Sequence, residues 1–172
     1  MIPPLTLSQR VARGEACMDD GLFDEAAAEF DAAVTLGETE PAGAQLPLAL
    51  LRRGEANLAA GRHDAAVADL DRAVLLAGDD PLPFAARGEA HLEREEYAAA
   101  LSDFNEAIRL APEAALLYVS RARAYRQAGE RMRAIDDLEK ALALAPGLAW
   151  AEQELRELHG LREQIGFWGT LF

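Results

Sequence analysis

One stretch of this chain recurs in altered copies along most of its length. Residues 87–112 read R-G-E-A-H-L-E-R-E-E-Y-A-A-A-L-S-D-F-N-E-A-I-R-L-A-P. Setting the copies in register on R-G-E-A places Gly14, Gly54, Gly88 and Ala122 in one column, at spacings of 40, 34 and 34 residues. Further columns follow: Ala26, Ala66, Ala100 and Ala134; Phe30, Leu70, Phe104 and Leu138; Ala33, Ala73, Ala107 and Ala141. Small and large positions stay separate throughout. A small side chain lets two helices approach closely, and a large one fills the gap beside it, so the unit is a helical hairpin. A unit repeated at this period cannot bury its apolar face alone and must stack on its neighbours. Aromatic residues are only 6% of the chain, which suits a core of closely spaced helices rich in alanine. The expectation is an all-α fold.

A period of 34 residues with Gly, Ala, an aromatic or Leu, Ala and then Pro, with Pro112 and Pro146 at the last position, resembles the tetratricopeptide repeat. The resemblance implies a right-handed superhelical solenoid of antiparallel helix-turn-helix repeats in a single domain, 1–172. Repeats fall at about 7–38, 47–80, 81–114 and 115–148, followed by a capping helix at about 148–165 and an apolar tail, 166–172. Departures carry information too. The family's tryptophan is replaced by Arg10, Leu50, Phe84 and Tyr118, so the first helix is expected to fray or act as a cap. Residues 37–47, G-E-T-E-P-A-G-A-Q-L-P, are rich in breakers and read as a longer loop. Gly21, Gly61 and Gly129 stand where a helix C-terminus needs a left-handed residue. The third copy has Glu95 there, and its turn should be slightly strained or differently closed.

Arg13, Arg53, Arg87 and Arg121 occupy a column where the family has an apolar residue. Sixteen residues later stand Glu29, Asp69, Asp103 and Asp137. Those positions fall on facing helices of a hairpin, so four structural arginine–carboxylate pairs are expected. The alternative is a ladder of ligand-binding arginines.

The net charge of −13 opposes nucleic-acid binding, which needs a basic surface. It is unevenly spread: −7 for residues 1–46, −2 for 47–80, −4 for 81–114, +2 for 115–148 and −2 for 149–172. This is either a set of solvated helix faces or an acidic end that selects basic ligands. No apolar run approaches the ~20 residues of a membrane helix, and the start of the chain does not read as a leader, so a cytoplasmic location is expected. A lone Cys17 excludes an intrachain disulfide. The three histidines do not converge, His63 and His91 falling in separate packing columns, and no phosphate loop, H-E-x-x-H or G-x-S-x-G motif occurs. No catalytic, metal-binding or cofactor-binding residues are expected, and the chain reads as a non-enzyme.

What remains is surface. In the resembled family the first helices line the concave face, which here carries Val11, Leu51, Ala85 and Val119; Glu15, Glu55, Glu89 and Arg123; and Met18, Leu58, Leu92 and Arg126, with Leu48, Leu82 and Leu116 at the entrance. Such a groove is apolar with an acidic stripe that turns basic in the fourth repeat. It suits a protein or peptide partner carrying basic residues, held as a helix or an extended segment; the plainer reading of these columns is helix packing alone. Relatives that grip the acidic C-termini of heat-shock chaperones use Lys and Asn at positions that here hold Val11, Glu15, Arg52, Leu82 and Ala86, so only Arg52 matches that clamp. In the tail, Phe167, Trp168, Leu171 and Phe172 form an apolar group with glycines that discourage helix. The alternative function is self-assembly, with this tail docked in its own or a neighbour's groove as a homo-oligomer contact.

Overall fold

The computed structural model describes residues 4–39 and 45–168, and the side chains of 161–168 lie outside that description. Every regular element among the described residues is a helix. The chain divides into two compact units, Met1–Glu96 and Tyr97–Phe172, with the boundary inside the third repeat.

The first unit holds α1 (Leu7–Asp19), α2 (Phe23–Thr39), α3 (Leu46–Ala59), α4 (His63–Leu76) and α5 (Pro81–Glu93). Contrary to the expectation of a frayed first helix, α1 starts on a capping box. The Thr6 hydroxyl accepts from the Gln9 backbone N–H at 3.3 Å, and the Thr6 N–H donates to Gln9 Oε1 at 2.9 Å. The start of α5 is fixed by Asp80, whose carboxylate accepts from the Leu82 N–H at 2.9 Å, with Pro81 in the first turn.

The segment expected as a loop at 37–47 is shorter than its composition suggested. Helix α2 runs 17 residues against 14 for α4, carrying Gly37 to Thr39 in helical form, and α3 already begins at Leu46; residues 40–44 lie outside the described residues. Gly37 lies inside this helix, where the lack of a side chain leaves room for its neighbours. A β-carbon there would stand 3.2 Å from both Leu46 Cβ and Leu7 Cδ1.

The hairpins close where small residues meet large ones. A β-carbon on Gly14 would fall 2.5 Å from the Phe30 ring, and one on Gly54 would fall 2.7 Å from Leu70 Cγ. Phe30, Leu70 and the alanines 26, 33, 66 and 73 are completely buried. Sequestering a side chain such as Phe30 or Leu70 contributes roughly 1.5–3 kcal/mol.

The second unit holds α6 (Tyr97–Leu110), α7 (Ala115–Gln127), α8 (Arg131–Leu144) and α9 (Ala149–Trp168). The interlock of α7 and α8 uses Ala122 and Leu138, both buried with Tyr118, Ile135 and Ala141. Tyr118, in the column of the family's tryptophan, turns its hydroxyl to the Pro112 carbonyl at 3.0 Å. The last helix extends beyond residue 165, where the sequence placed its end, and buries Ala151 and Leu158 in the same core.

The turns within the first two and the fourth hairpins end in Gly21, Gly61 and Gly129 at φ of 73°, 73° and 79°. In each, the residue after the glycine donates back into the helix, as Leu22 N–H does to the Cys17 carbonyl at 2.8 Å. The turn after α5 keeps that pattern, with Glu96 N–H reaching the His91 carbonyl at 2.9 Å, but places Glu95 at φ 59°. A non-glycine residue in this region costs about 1–2 kcal/mol, which is the strain expected from the missing glycine. Glu95→Gly should therefore raise stability by roughly 1 kcal/mol in urea unfolding; an unchanged or lower midpoint would contradict this account of the turn.

Candidate partner-binding surface

Three arginine–carboxylate pairs close within the units, each joining the two helices of one hairpin. Arg53 Nε and Nη2 donate to Asp69 Oδ2 and Oδ1 at 2.8 and 2.5 Å. Arg121 grips Asp137 in the same two-pronged way, at 2.7 Å for both bonds. In the first repeat Arg13 lies 3.1 Å from Glu29, which also takes Arg10 at 2.7 Å. Arg87 belongs to the first unit and Asp103 to the second. Asp69 and Asp137 are almost fully buried, and a fork of parallel bonds to a shielded carboxylate is the strong form of this interaction. The Asp69 hydrogen bond raises the Arg53 pKa, and Asp137 does the same for Arg121, each opposing the lowering effect of burial.

These arginines also do something unforeseen. Three of the column's four reach a second helix in the preceding repeat: Arg53 to Asp31, Arg87 Nη1 to Asp71 Oδ1 at 2.8 Å, and Arg121 Nη1 to Asn105 Oδ1 at 2.7 Å. In Arg53 and Arg121 one guanidinium therefore holds its own hairpin closed and fastens it to the hairpin before. The signal was present two positions beyond the carboxylate column, where Asp31, Asp71, Asn105 and Glu139 align. Arg121 gains further from Tyr118 and Tyr125, whose ring centroids lie 5.6 and 5.9 Å from it. The ladder of ligand-binding arginines is disfavoured, because these donors are already committed to the fold.

The residues expected on the inward face separate into two groups. Val11, Leu51, Leu92 and Val119 are buried, which corrects their assignment as contact residues: they pack helix against helix and offer no surface to a partner. Met18 and Leu58 are half-buried against the core. Leu48, Leu82 and Leu116 stay open at 40%, 57% and 63% exposure. Glu15, Glu55 and Glu89 are partly exposed. In the first unit α3 touches both α1 and α5, so these side chains belong to one continuous face. Arg52 crosses it, donating from Nε to Glu15 Oε1 at 3.1 Å and from Nη1 to Glu55 Oε2 at 2.9 Å. Glu55 is the largest influence raising the Arg52 pKa. The acidic stripe thus carries a built-in cation between two of its members.

In the second unit the last helix takes up residues expected to meet a partner. Arg126 Nη1 pairs with Glu154 of α9 at 2.7 Å, and Arg123 and Arg126 share a small pocket with Ala122, Leu138, Trp150, Glu154 and Leu158. Burial lowers the Arg123 pKa, with the Arg126 charge adding to the effect. Helix α9 is further held by Arg131, which donates to the Leu158 carbonyl. Of the tail residues, Phe167 and Trp168 fall within α9, so the glycines do not end that helix before them. Their side chains, with Leu171 and Phe172, lie outside the described residues.

Among the described residues no group of three or more His, Cys, Asp or Glu side chains converges to hold a metal ion. His91 Nδ1 instead pairs with Glu96 at 2.6 Å. No described helix is long and apolar enough to cross a membrane.

Helical hairpins closed by small residues and repeated along the chain define a helical-repeat protein. The sequence matches the tetratricopeptide repeat family over residues 11–83 and 85–149, and the chain belongs to that family. No curated protein matches the sequence. Among solved structures, MamA from residue 41 onward of Desulfovibrio magneticus RS-1 superposes with a TM-score of 0.76 at 20% identity, over 91% of this chain and 85% of that one. The first tetratricopeptide domain of Spaghetti (RPAP3), bound to the HSP90 peptide SRMEEVD, gives a TM-score of 0.66 at 25% identity, over 69% and 94%. The second such domain of human RPAP3, in complex with the HSP70 peptide SGPTIEEVD, gives 0.61 at 26%, over 66% and 98%. The fold is that of a protein-interaction module.

Removing one partner of a fully buried ion pair costs about 3–5 kcal/mol. Arg121 would keep Asn105 and two tyrosine faces, so Asp137→Ala should cost about 2–3 kcal/mol in urea unfolding. A loss below about 0.5 kcal/mol, the scale of a surface pair, would contradict the structural role of the clasp.

Proposed function

We propose that this chain is a non-catalytic binding module or scaffold that holds a peptide or helix bearing basic residues along its first helices. The observation that carries the reading is the open face of α1, α3 and α5, where exposed Leu48 and Leu82 stand beside Glu15, Glu55 and Glu89. Met18 and Leu58 border the acidic row, and Leu116, Arg123 and Arg126 belong to the corresponding helix of the second unit. The related RPAP3 domains hold peptides ending in E-E-V-D, and an acidic ligand of that kind does not suit this surface. Arg52, the one residue matching the chaperone clamp, is occupied by Glu15 and Glu55, and the net charge of −13 opposes an acidic peptide. The same charge opposes nucleic acid.

Affinity capture from the source cell tests this reading. The bait Glu15→Lys, Glu55→Lys, Glu89→Lys, with helicity verified by circular dichroism, should lose the proteins that the wild-type chain retains. Undiminished capture would remove the binding face from α1, α3 and α5. The second reading, self-assembly through Phe167, Trp168, Leu171 and Phe172, rests on sequence alone. It predicts a mass above the monomer in light scattering that falls when the chain is truncated after Gln164, and an unchanged mass would exclude it.

A further inference from the structure

The open face of the first unit carries two rows whose separation restricts the shape of what can lie there. On α3, Leu48, Arg52 and Glu55 share one side at intervals of four and three residues, and on α5 Leu82, Ala86 and Glu89 repeat the arrangement. The leucine row and the glutamate row are seven residues apart along each helix, roughly 10 Å. An extended strand sends successive side chains to opposite sides at about 3.3 Å per residue, so a step of three residues, roughly the distance from one helix to the next, turns the side chain to the wrong row. A helix is about 10–12 Å across and spans both.

The charges show which flank of such a helix faces which row. Arg52 uses one oxygen of Glu15 and one of Glu55, and the second oxygens, Glu15 Oε2 and Glu55 Oε1, carry no hydrogen bond among the described residues. Both side chains are partly open, at 46% and 35% exposure. Two guanidinium or ammonium groups arriving from outside can therefore bind these carboxylates, one on each of two adjacent helices, without breaking the Arg52 bridge. Leu48 and Leu82 offer an uncharged flank on the other side. Packed helices lie roughly 8–10 Å apart, which a helical occupant covers in about six or seven residues at 1.5 Å each.

We infer that the occupant is a basic amphipathic helix lying across α1, α3 and α5, with one cationic residue per repeat, about seven apart, over the glutamate row and apolar residues over Leu48 and Leu82. This rests on the binding reading above and names the partner class of that same face. Two charge-assisted hydrogen bonds to the free oxygens would give the cationic flank its register.

The test uses the full chain and synthetic fluorescent peptides, read by anisotropy. One peptide places Lys at every seventh position on one flank and Leu at every seventh on the other; a second has the same residues with two central prolines that prevent helix. The helical peptide should bind, and affinity should fall at least about tenfold for the proline peptide, for Glu15→Gln with Glu55→Gln, and for Leu82→Asp. Leu82 is exposed, so its replacement serves as a variant that keeps the fold. Equal binding of the proline peptide overturns the helical occupant while leaving the binding reading in place. Binding indifferent to both variants moves the peptide off this face and overturns the inference. Failure of the helical peptide to bind overturns it as well, and the capture experiment then judges the binding reading separately.

Discussion

Everything in these hairpins depends on how closely two helices approach at one point. Gly14 faces the Phe30 ring and Gly54 faces Leu70 at distances that leave no room for a β-carbon in the present packing. The alanines beside these positions extend the close contact along the second helix. Interiors pack at the density of organic crystals, and small changes in volume are felt at once. A chain with few aromatics can then make a core, because close helices need little side-chain volume between them. The first helices keep their outer sides available, and those sides form the open face.

The arginine clasp belongs to the same economy of surface. A hairpin rich in alanine has limited apolar area to bury against its neighbour, and the guanidinium of Arg53 or Arg121 adds directed contacts to two second helices. Its charge is balanced by Asp69 or Asp137, which are shielded from water, so the pair specifies one geometry as well as adding attraction. Arg52 differs in lying on the open side, linking α1 to α3 in view of solvent. The two arginines are adjacent in sequence and point to opposite tasks, one inside the stack and one on the open face.

The repeat architecture was legible in the sequence because it is written as columns: Gly against Phe or Leu, Ala at fixed offsets, Arg sixteen residues before a carboxylate. Each column reports one contact within a hairpin, and such contacts depend on few residues. The bonds of Arg53 to Asp31 and Arg87 to Asp71 were not foreseen, since they join different repeats and the offset changes from 22 to 16 across the irregular linker. The inward face was harder still. Val11, Leu51, Leu92 and Val119 lie in columns that share a helix side with exposed residues, and the depth of packing decides which are covered. Residues 37–39 read as loop by composition, yet they continue α2, with Gly37 set close against Leu7 and Leu46. In the fourth repeat the column pattern puts Arg126 on the inward face, but α9 brings Glu154 to it, a contact set by the path of the chain after Pro146.

The most direct test of the close-approach account exploits a difference between repeats. The first hairpin pairs Gly14 with Phe30, whereas the fourth accommodates Ala122 with Leu138, both buried in one core. Unfolding in urea should be measured for Gly14→Ala, for Phe30→Leu and for the two together. Gly14→Ala should destabilise by about 1–3 kcal/mol through overpacking, even though alanine favours helix by roughly 1 kcal/mol. Combined with Phe30→Leu, which recreates the pair of the fourth repeat, the alanine should cost far less or become neutral, giving a favourable coupling energy above about 0.5 kcal/mol. A Gly14→Ala variant as stable as the wild type, or costs that simply add in the double variant, would contradict the claim that this contact sets the spacing of the hairpin.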